Sequence, residues 1–318
     1  MRRPGLPVSV FCPKVSGVDT VSRLLRRADL GATLEKHCLL GAGTRMDVAR
    51  YGELEVPFHV LLEGECRLHV GHQVFELRPG DVVLIPSGTE HRVVTAGPGR
   101  PRGIVDVGGD AFVTTRSERG GDPVIDLFCG HFTVNAGAGA LLFRSLPGAV
   151  HVAFGPSDEV LRGLSVLMRG EAGREGAGTA AILSALCTVL LAMVLRTARG
   201  PATADVLWTA ATDPGIASAV SGILDDPGEE WTIERLSRQV AMSRATFLRR
   251  FVRETGMTAG AFLTRARMMA AAELLSTSDA TVASVAGQVG YQSESAFSRA
   301  FRAELGTTPA RFRRGDRR

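Results

Sequence analysis

The strongest constraint on the fold is a pattern that occurs twice within the last hundred residues, at 232–256 and 281–306. Each segment has a short stretch with apolar residues at helical spacing, then a tight turn and a second such stretch. Thr232, Ser243 and Ser293 stand where helix caps belong. The side chains expected to face inward are Ile233, Leu236, Val240, Phe247, Phe251, Val252, Val282, Val285, Val289, Phe297 and Phe301. The sequence therefore predicts an all-α domain with tandem helix-turn-helix units at 232–255 and 281–305, joined by an amphipathic helix at 259–278.

Positive charge is concentrated in the same region. Of the 37 basic and 33 acidic residues in the chain, 15 and 7 lie between Trp231 and Arg318, so this region has a net charge of +8 and the rest has −4. The arginines expected to face outward are Arg244, Arg249, Arg250, Arg253, Arg299 and Arg302. A basic block at one end of a near-neutral chain indicates a polyanionic partner.

A short helix, a tight turn and a capped second helix with outward arginines is the arrangement that reads the major groove of DNA. Arginine on such a helix makes bidentate contacts to guanine. The stretch GYQSESAFSRAFRAELGTTPARFR, at 290–313, closely resembles the C-terminal signature of the AraC/XylS family of transcription regulators. MSRATFLRRFVRETG and the following RARMMAAAELL resemble the first unit of that family, and the resemblance covers about residues 213–314.

The resemblance implies that double-stranded DNA is the partner and that the first turns of 243–255 and 294–305 contact base edges. Residue by residue, it implies base contacts from Arg244, Ala245, Leu248, Arg249, Glu294, Ser295, Ser298 and Arg299. Ala245 and Leu248 offer apolar contact, for example to thymine methyl groups. An activator of this kind would also contact RNA polymerase.

The first half of the chain has the pattern of short strands. FHVLLEGECRLHVGHQVFELRPGDVVLIPSG predicts strands near 58–62, 65–70, 73–77 and 82–85, separated by turns that contain Gly. Strands at this spacing predict a small antiparallel barrel or sandwich over 1–156. The polar, Gly-rich stretch TTRSERGGDP, at 114–123, is predicted to be a loop.

The spacing of Gly80, Pro86, Gly88 and His91 resembles the second motif of the cupin barrel. In metal cupins the first motif supplies two histidines and a glutamate, whereas the corresponding stretch here, YGELEVPFH, offers His59. We therefore expect neither a metal nor a cofactor. His59 and His91 are expected to meet inside the barrel, either as a hydrogen-bonded structural pair or as a metal pair.

The stretch at 124–152 resembles the end of a cupin-type sensor domain found on some AraC-type regulators. It contains Cys129 and His131, which would share one face of a strand. An imidazolium there would lower the pKa of the Cys129 thiol and make it reactive. The alternative is that Cys129 is a buried structural residue.

Between the two halves, residues 157–212 are predicted to form a helical linker and dimerisation region. One helix is opened by Ser157, with an apolar stripe formed by Val160, Leu161, Leu164, Leu167 and Met168. A second, at 180–195, is apolar around most of its circumference, and such a helix is buried on more than one side. A second copy of the chain would cover the remaining face, so we expect a homodimer.

The composition favours a cytoplasmic protein without a membrane span. The cysteines Cys12, Cys38, Cys66, Cys129 and Cys187 are odd in number and scattered, which argues against a disulfide framework. The N-terminus lacks an apolar run long enough for a signal peptide. The longest apolar stretch, Thr179 to Leu195, is short for a membrane helix and contains polar residues.

The sequence thus predicts a multidomain, non-enzymatic, DNA-binding regulator, with a cupin-like sensor at 1–156 and a DNA-binding domain at 213–318. A small effector in the barrel near His59 and His91 is the preferred signal, because barrels of this size commonly enclose a ligand. The alternatives are a metal-dependent cupin enzyme, a redox-sensing regulator that acts through Cys129 beside His131, and a barrel that serves as an oligomerisation scaffold.

Overall fold

The structure is a computed structural model that describes residues 19–144, 146, 148–154, 159–174, 176–197 and 213–315. Cys12, the Ser157 cap and the part of the expected linker at 198–212 lie outside the described residues. The described residues form a β-rich half followed by an all-helical half.

The β-rich half is built from two sheets. One sheet has seven strands in the order β11-β6-β3-β10-β1-β9-β8, and the other has four in the order β2-β7-β4-β5. Neighbouring strands are antiparallel, except that β1 and β9 are parallel. The strands are β1 Gly31–Leu40, β2 Arg45–Val48, β3 Glu55–Glu63, β4 Cys66–Val70, β5 Gln73–Leu77, β6 Asp81–Leu84, β7 His91–Val94, β8 Ile104–Gly108, β9 Val113–Ser117, β10 Ile125–Thr133 and β11 Val150–Ala153. The four strands predicted between residues 58 and 85 correspond to β3, β4, β5 and β6, so the predicted antiparallel β domain is confirmed.

The predicted loop at 114–123 is wrong in its first part, because β9 continues to Ser117 and pairs with β1. Two polar side chains of β9, Thr115 and Ser117, are buried there and have hydrogen-bond partners. Ser117 Oγ accepts a hydrogen bond from the Gly41 amide at 2.8 Å and lies 2.6 Å from Thr44 Oγ1. Buried hydroxyl groups that are satisfied in this way cost little, so a strand tolerates them although the local sequence looks polar.

Four helices pack on the seven-stranded sheet or beside it: α1 Thr20–Ala28, α2 Ala138–Arg144, α3 Glu159–Ala172 and α4 Thr179–Thr197. On α3, Leu161, Leu164 and Met168 are buried as predicted. Val160 and Leu167, assigned to the same inward stripe, are instead 57% and 61% exposed. The buried stripe of α3, which packs against α4, is therefore narrower than predicted.

By length and composition alone, helix α4 could cross a membrane. Among the described residues it is the one helix of which this is true. It packs against β1, α1 and α3, and Leu183, Cys187, Leu190, Leu191 and Val194 are buried there. These contacts make α4 a core helix of the β-rich half. Ile182 and Val189 on its other side are 44% and 47% exposed, so that face is left uncovered.

The C-terminal half consists of seven helices within the described residues: α5 Pro214–Asp225, α6 Ile233–Gln239, α7 Arg244–Thr255, α8 Ala259–Thr277, α9 Val282–Gln288, α10 Glu294–Leu305 and α11 Pro309–Arg313. Side-chain oxygens of Thr232, Ser243 and Ser293 accept hydrogen bonds from backbone amides in the first turns of α6, α7 and α10. The predicted tandem helix-turn-helix arrangement is therefore confirmed, with α6 and α7 as the first unit and α9 and α10 as the second.

Phenylalanines form the core of both units. Phe247, Phe251, Phe297 and Phe301 have 0% exposure, as predicted. Val252, predicted to face inward beside Phe251, is 43% exposed. A helix turns by about 100° per residue, and the adjacent Phe251 occupies the inward position.

The two halves are in direct contact. On α1, Arg23 pairs with Asp225 at the end of α5, and Arg27 Nε lies 3.1 Å from Glu273 Oε2 on α8. Arg27 Nη1 also donates to the Leu224 carbonyl oxygen at 3.3 Å. Just before α2, Gly137 approaches α8 so closely that a Cβ atom in its place would lie 2.6 Å from the Cβ of Ala272. The β-rich half thus contacts α5 and α8.

Candidate DNA-binding surface and sensor site

The residues implied as base contacts lie on the first two turns of α7 and α10. We call these eight residues the reading surface: Arg244, Ala245, Leu248, Arg249, Glu294, Ser295, Ser298 and Arg299. Ser298 is half-buried and the other seven are exposed. Leu248 is 41% exposed, so its apolar side chain is available for contact. The tandem fold thus leaves corresponding faces of both second helices uncovered.

The arginines of these helices differ in what they contact. Among the described residues, Arg249 and Arg299 have no hydrogen-bond or ion-pair partner, whereas Arg244 Nη1 lies 2.7 Å from Glu234 Oε1. Arg253 pairs with Glu254 at 3.1 Å. Arg250, predicted to face solvent or a ligand, instead lies 2.7 Å from Asp213 Oδ2, the residue that caps α5. Arg250 therefore fastens α5 to α7.

The two histidines predicted to meet are in contact inside the β-rich half. His59 Nε2 lies 2.8 Å from His91 Nε2, and His91 Nδ1 lies 2.8 Å from the Thr89 carbonyl oxygen. Because a carbonyl accepts and never donates, His91 Nδ1 must carry a proton, and in the neutral ring His91 Nε2 is then the acceptor. His59 Nε2 must therefore be the donor, which leaves His59 Nδ1 as an unprotonated acceptor.

That free nitrogen faces a thiol. His59 Nδ1 lies 3.0 Å from Cys129 Sγ, and Cys129 Sγ lies 3.6 Å from Cys38 Sγ. We call Cys38, Cys129, His59 and His91 the buried thiol–imidazole chain. Burial, with a smaller contribution from His91, lowers the pKa of His59 well below its usual range, and burial also lowers the pKa of His91. Both rings are therefore neutral at neutral pH.

Of the two alternatives for Cys129, activation by His131 is not the one that the contacts favour. His131 Nδ1 lies 3.2 Å from Glu35 Oε1, and the hydrogen bond to Glu35 raises the pKa of His131. Glu35 also accepts a hydrogen bond from the Tyr51 hydroxyl group. Burial raises the pKa of the Cys129 thiol well above its usual range. The imidazole beside Cys129 is His59, on the neighbouring strand, because strand pairing brings Cys129 opposite His59.

Two cavities open beside these residues. One, of about 570 Å³, is lined by Asp47, Val48, Ala49, His69, Gly71, Glu90, His91 and Arg92. The other, of about 130 Å³, is lined by Glu35, Lys36, Met46, Asp47, Val48, Ala49, Tyr51 and Cys129. The larger cavity therefore reaches His91 and the smaller one reaches Cys129. In the described part of the chain, no group of three or more His, Cys, Asp or Glu side chains has an arrangement that could hold a metal ion.

Sequence reasoning identified Cys129, His59 and His91 but missed Cys38, Glu35 and Tyr51. Cys38 is 91 residues from Cys129, and β1 and β10 become neighbours only through the sheet topology. No local sequence signal marks that pairing.

Comparison with known proteins agrees with this architecture. Residues 19–199 match the family described as Cupin, and residues 236–315 match the family described as Helix-turn-helix domain. An uncharacterized HTH-type transcriptional regulator of Haemophilus influenzae is 33% identical over 268 residues, which cover 81% of this chain and 85% of that protein. The RCS-specific HTH-type transcriptional activator RclR of Escherichia coli K12 is 30% identical over 302 residues, which cover 93% of this chain and 97% of that protein. Among solved structures, the DNA-binding domain of AdpA in complex with a target DNA is 38% identical and covers 32% of this chain and 91% of that domain, with a TM-score of 0.31.

A cupin domain joined to a tandem helix-turn-helix domain defines a DNA-binding transcription regulator, and the full-length relatives are regulators rather than enzymes. The chain belongs to the AraC family of HTH-type transcriptional regulators, in the group with an N-terminal cupin domain. Double-stranded DNA is its partner.

Proposed function

We propose that this regulator recognises its operator by placing α7 and α10 in two successive major grooves on one face of the DNA. The observation that carries this proposal is that Arg249 and Arg299, at corresponding positions of the two units, are exposed and have no partner among the described residues. Unpaired guanidinium groups on the first turns of a recognition helix are free to make bidentate contacts to guanine.

The connection between the units supports simultaneous reading. Helix α8 has 19 residues and is largely buried. Its buried residues include Phe262, Ala266, Met268, Met269, Ala270, Ala271, Ala272 and Leu275. It packs against α7, α9, α10 and α11, so both units share one core. A shared core fixes the separation of the two recognition helices, and successive major grooves are roughly 34 Å apart.

Selection of bound fragments from a random DNA pool, followed by footprinting, tests this proposal. With the full chain we expect two protected blocks centred about 10 base pairs apart, both contacted in the major groove. A single protected block, or protection of the minor groove, would contradict it.

We further infer that a small polar effector occupies the cavity of about 570 Å³ that reaches His91 in the cupin domain. Its volume lies within the range typical of small-molecule sites, roughly 300–1,000 Å³. The lining includes the acids Asp47 and Glu90, the base Arg92 and His91. That mixture suits a ligand with both donor and acceptor groups. The regulator would be cytoplasmic, because its operator and RNA polymerase are in that compartment.

We also infer that the chain forms a homodimer through α3 and the outer face of α4. Val160, Val166 and Leu167 on α3 are 57%, 63% and 61% exposed. With Ile182 and Val189 on α4 they form an apolar surface on adjacent helices. Burying such a surface against a second copy removes it from water, which favours association.

Sedimentation of the full chain tests the dimer. Leu167→Glu is expected to raise the monomer–dimer dissociation constant on the order of tenfold or more, because a charge would be buried without a partner. Val74→Glu is the matched control, since Val74 is 52% exposed but lies on the edge strand β5. A monomeric wild type at micromolar concentration, or equal effects of the two substitutions, would contradict this interface.

A further inference from the structure

The buried thiol–imidazole chain contains two cysteines close enough to react with each other. Cys38 Sγ and Cys129 Sγ are 3.6 Å apart, and their side chains are 0% and 5% exposed. His59 Nδ1 approaches Cys129 from the other side, at 3.0 Å. We propose that Cys38 and Cys129 form a reversible dithiol–disulfide couple with His59 as its base, through which hydroperoxides act on the regulator.

The hydrogen-bond pattern assigns the base. His59 is neutral, and its Nε2–H group donates a hydrogen bond to His91 Nε2. The unprotonated Nδ1 of His59 therefore faces the Cys129 thiol. A thiol must lose its proton to act as a nucleophile. Because burial raises the pKa of Cys129, it ionises little without a base in contact. Cys66, in the same apolar core, has a pKa raised by burial to about 12, and among the described residues no histidine is hydrogen-bonded to its thiol.

The reaction balances with hydrogen peroxide as the oxidant. His59 Nδ1 takes the Cys129 proton while the sulfur attacks one peroxide oxygen, so no free thiolate accumulates. The S–O bond forms, the O–O bond breaks, and the departing hydroxide takes the proton from His59 and leaves as water. Cys38 Sγ then attacks the sulfur of the sulfenic acid. The S–S bond forms, the S–O bond breaks, and the second hydroxide leaves with the Cys38 proton as water. Two thiols lose two electrons, and one peroxide becomes two waters.

The position of the two cysteines determines how a peroxide reaches them and what a disulfide between them would change. The cavity of about 130 Å³ is lined by Cys129 and has room for a peroxide molecule. In the β1–β10 register Cys38 faces Leu127 and Cys129 faces Lys36, so the two cysteines are diagonal neighbours. Disulfide formation shortens the Sγ–Sγ distance from 3.6 Å to about 2.05 Å. Both cysteines are buried on paired strands, so we expect closing the bond to shift β1 against β10.

A shift of β1 has a route to the DNA-binding half. Strand β1 follows α1 after two residues, and α1 carries Arg23 and Arg27, which contact Asp225 on α5 and Glu273 on α8. These helices pack against the units that read DNA. This step rests on the proposed function, because it takes operator affinity as the output of the sensor domain.

The experiment uses the full chain, treated with hydrogen peroxide and then alkylated and digested. Mass spectrometry of the wild type is expected to show a Cys38–Cys129 disulfide that dithiothreitol reverses. Cys38→Ser should stop at the sulfenic acid of Cys129, and His59→Gln should slow disulfide formation on the order of tenfold or more. Cys66→Ser, the matched control, should behave like the wild type. Operator affinity of the wild type should change on the order of fivefold or more on oxidation, whereas Cys38→Ser and Cys129→Ser should not respond.

The outcomes separate the two proposals. If reduced wild type fails to bind DNA specifically, the proposed function is wrong. If it binds and no Cys38–Cys129 peptide is found, or if Cys66 oxidises equally fast, the dithiol couple is wrong. Equal oxidation rates in the wild type and a His59→Gln protein that keeps its far-ultraviolet circular dichroism would remove His59 as the base.

Discussion

Replacing Arg249 or Arg299 with alanine is expected to weaken binding to the operator by about 1–3 kcal/mol each, while the fold stays intact. Both side chains are exposed and have no partner among the described residues, so their loss leaves no buried group unsatisfied. Affinity for the operator and for scrambled DNA should be measured at one fixed salt concentration, because phosphate contacts depend steeply on salt. The loss should be larger on the operator than on scrambled DNA.

Arg253→Ala is the matched control for this experiment. It removes the same charge as either substitution and lies on the same helix as Arg249, but Arg253 is in the last turn of α7 and pairs with Glu254. We expect its effect to be small and similar on both DNAs. If Arg249→Ala and Arg299→Ala also weaken both DNAs equally, these arginines contact phosphates and base recognition lies elsewhere on the reading surface.

Replacing Phe251 with alanine is expected to lower the free energy of unfolding of the DNA-binding half by about 3–5 kcal/mol. Phe251 has 0% exposure and packs against Phe247 and Phe262, with ring centroids 5.4 and 5.6 Å away. The substitution removes a large apolar side chain and leaves a cavity at the contact between α7 and α8. Urea unfolding can be followed by the fluorescence of Trp231, in a Trp208→Phe background that leaves it the sole tryptophan of the chain.

Val252→Ala is the control, one residue further along the same helix. Val252 is 43% exposed, so we expect a change within about 0.5 kcal/mol. A loss for Val252→Ala as large as that for Phe251→Ala would show that the inward face of α7 is wider than the structure indicates.

The sequence was sufficient for the helix-turn-helix units because their signals are local. The caps Thr232, Ser243 and Ser293 and the spacing of the phenylalanines act within a few residues, and each predicts one helix end or one buried face. The strands between residues 58 and 85 were predicted for the same reason. Where the local signal was ambiguous, at Val252 and at 114–117, packing decided the outcome.

Contacts between distant residues were decided by the tertiary structure. The sequence placed Cys129 beside His131 because residues two apart share a strand face, but pairing of β10 with β3 and β1 gave Cys129 the neighbours His59 and Cys38. Likewise, the position of Arg250 on its helix predicted an outward side chain, but Arg250 donates a hydrogen bond to Asp213, 37 residues away. Periodicity fixes which face of an element a residue occupies, but it contains no information on which element lies opposite. That choice is made by the burial of whole apolar faces, which is a property of the complete chain.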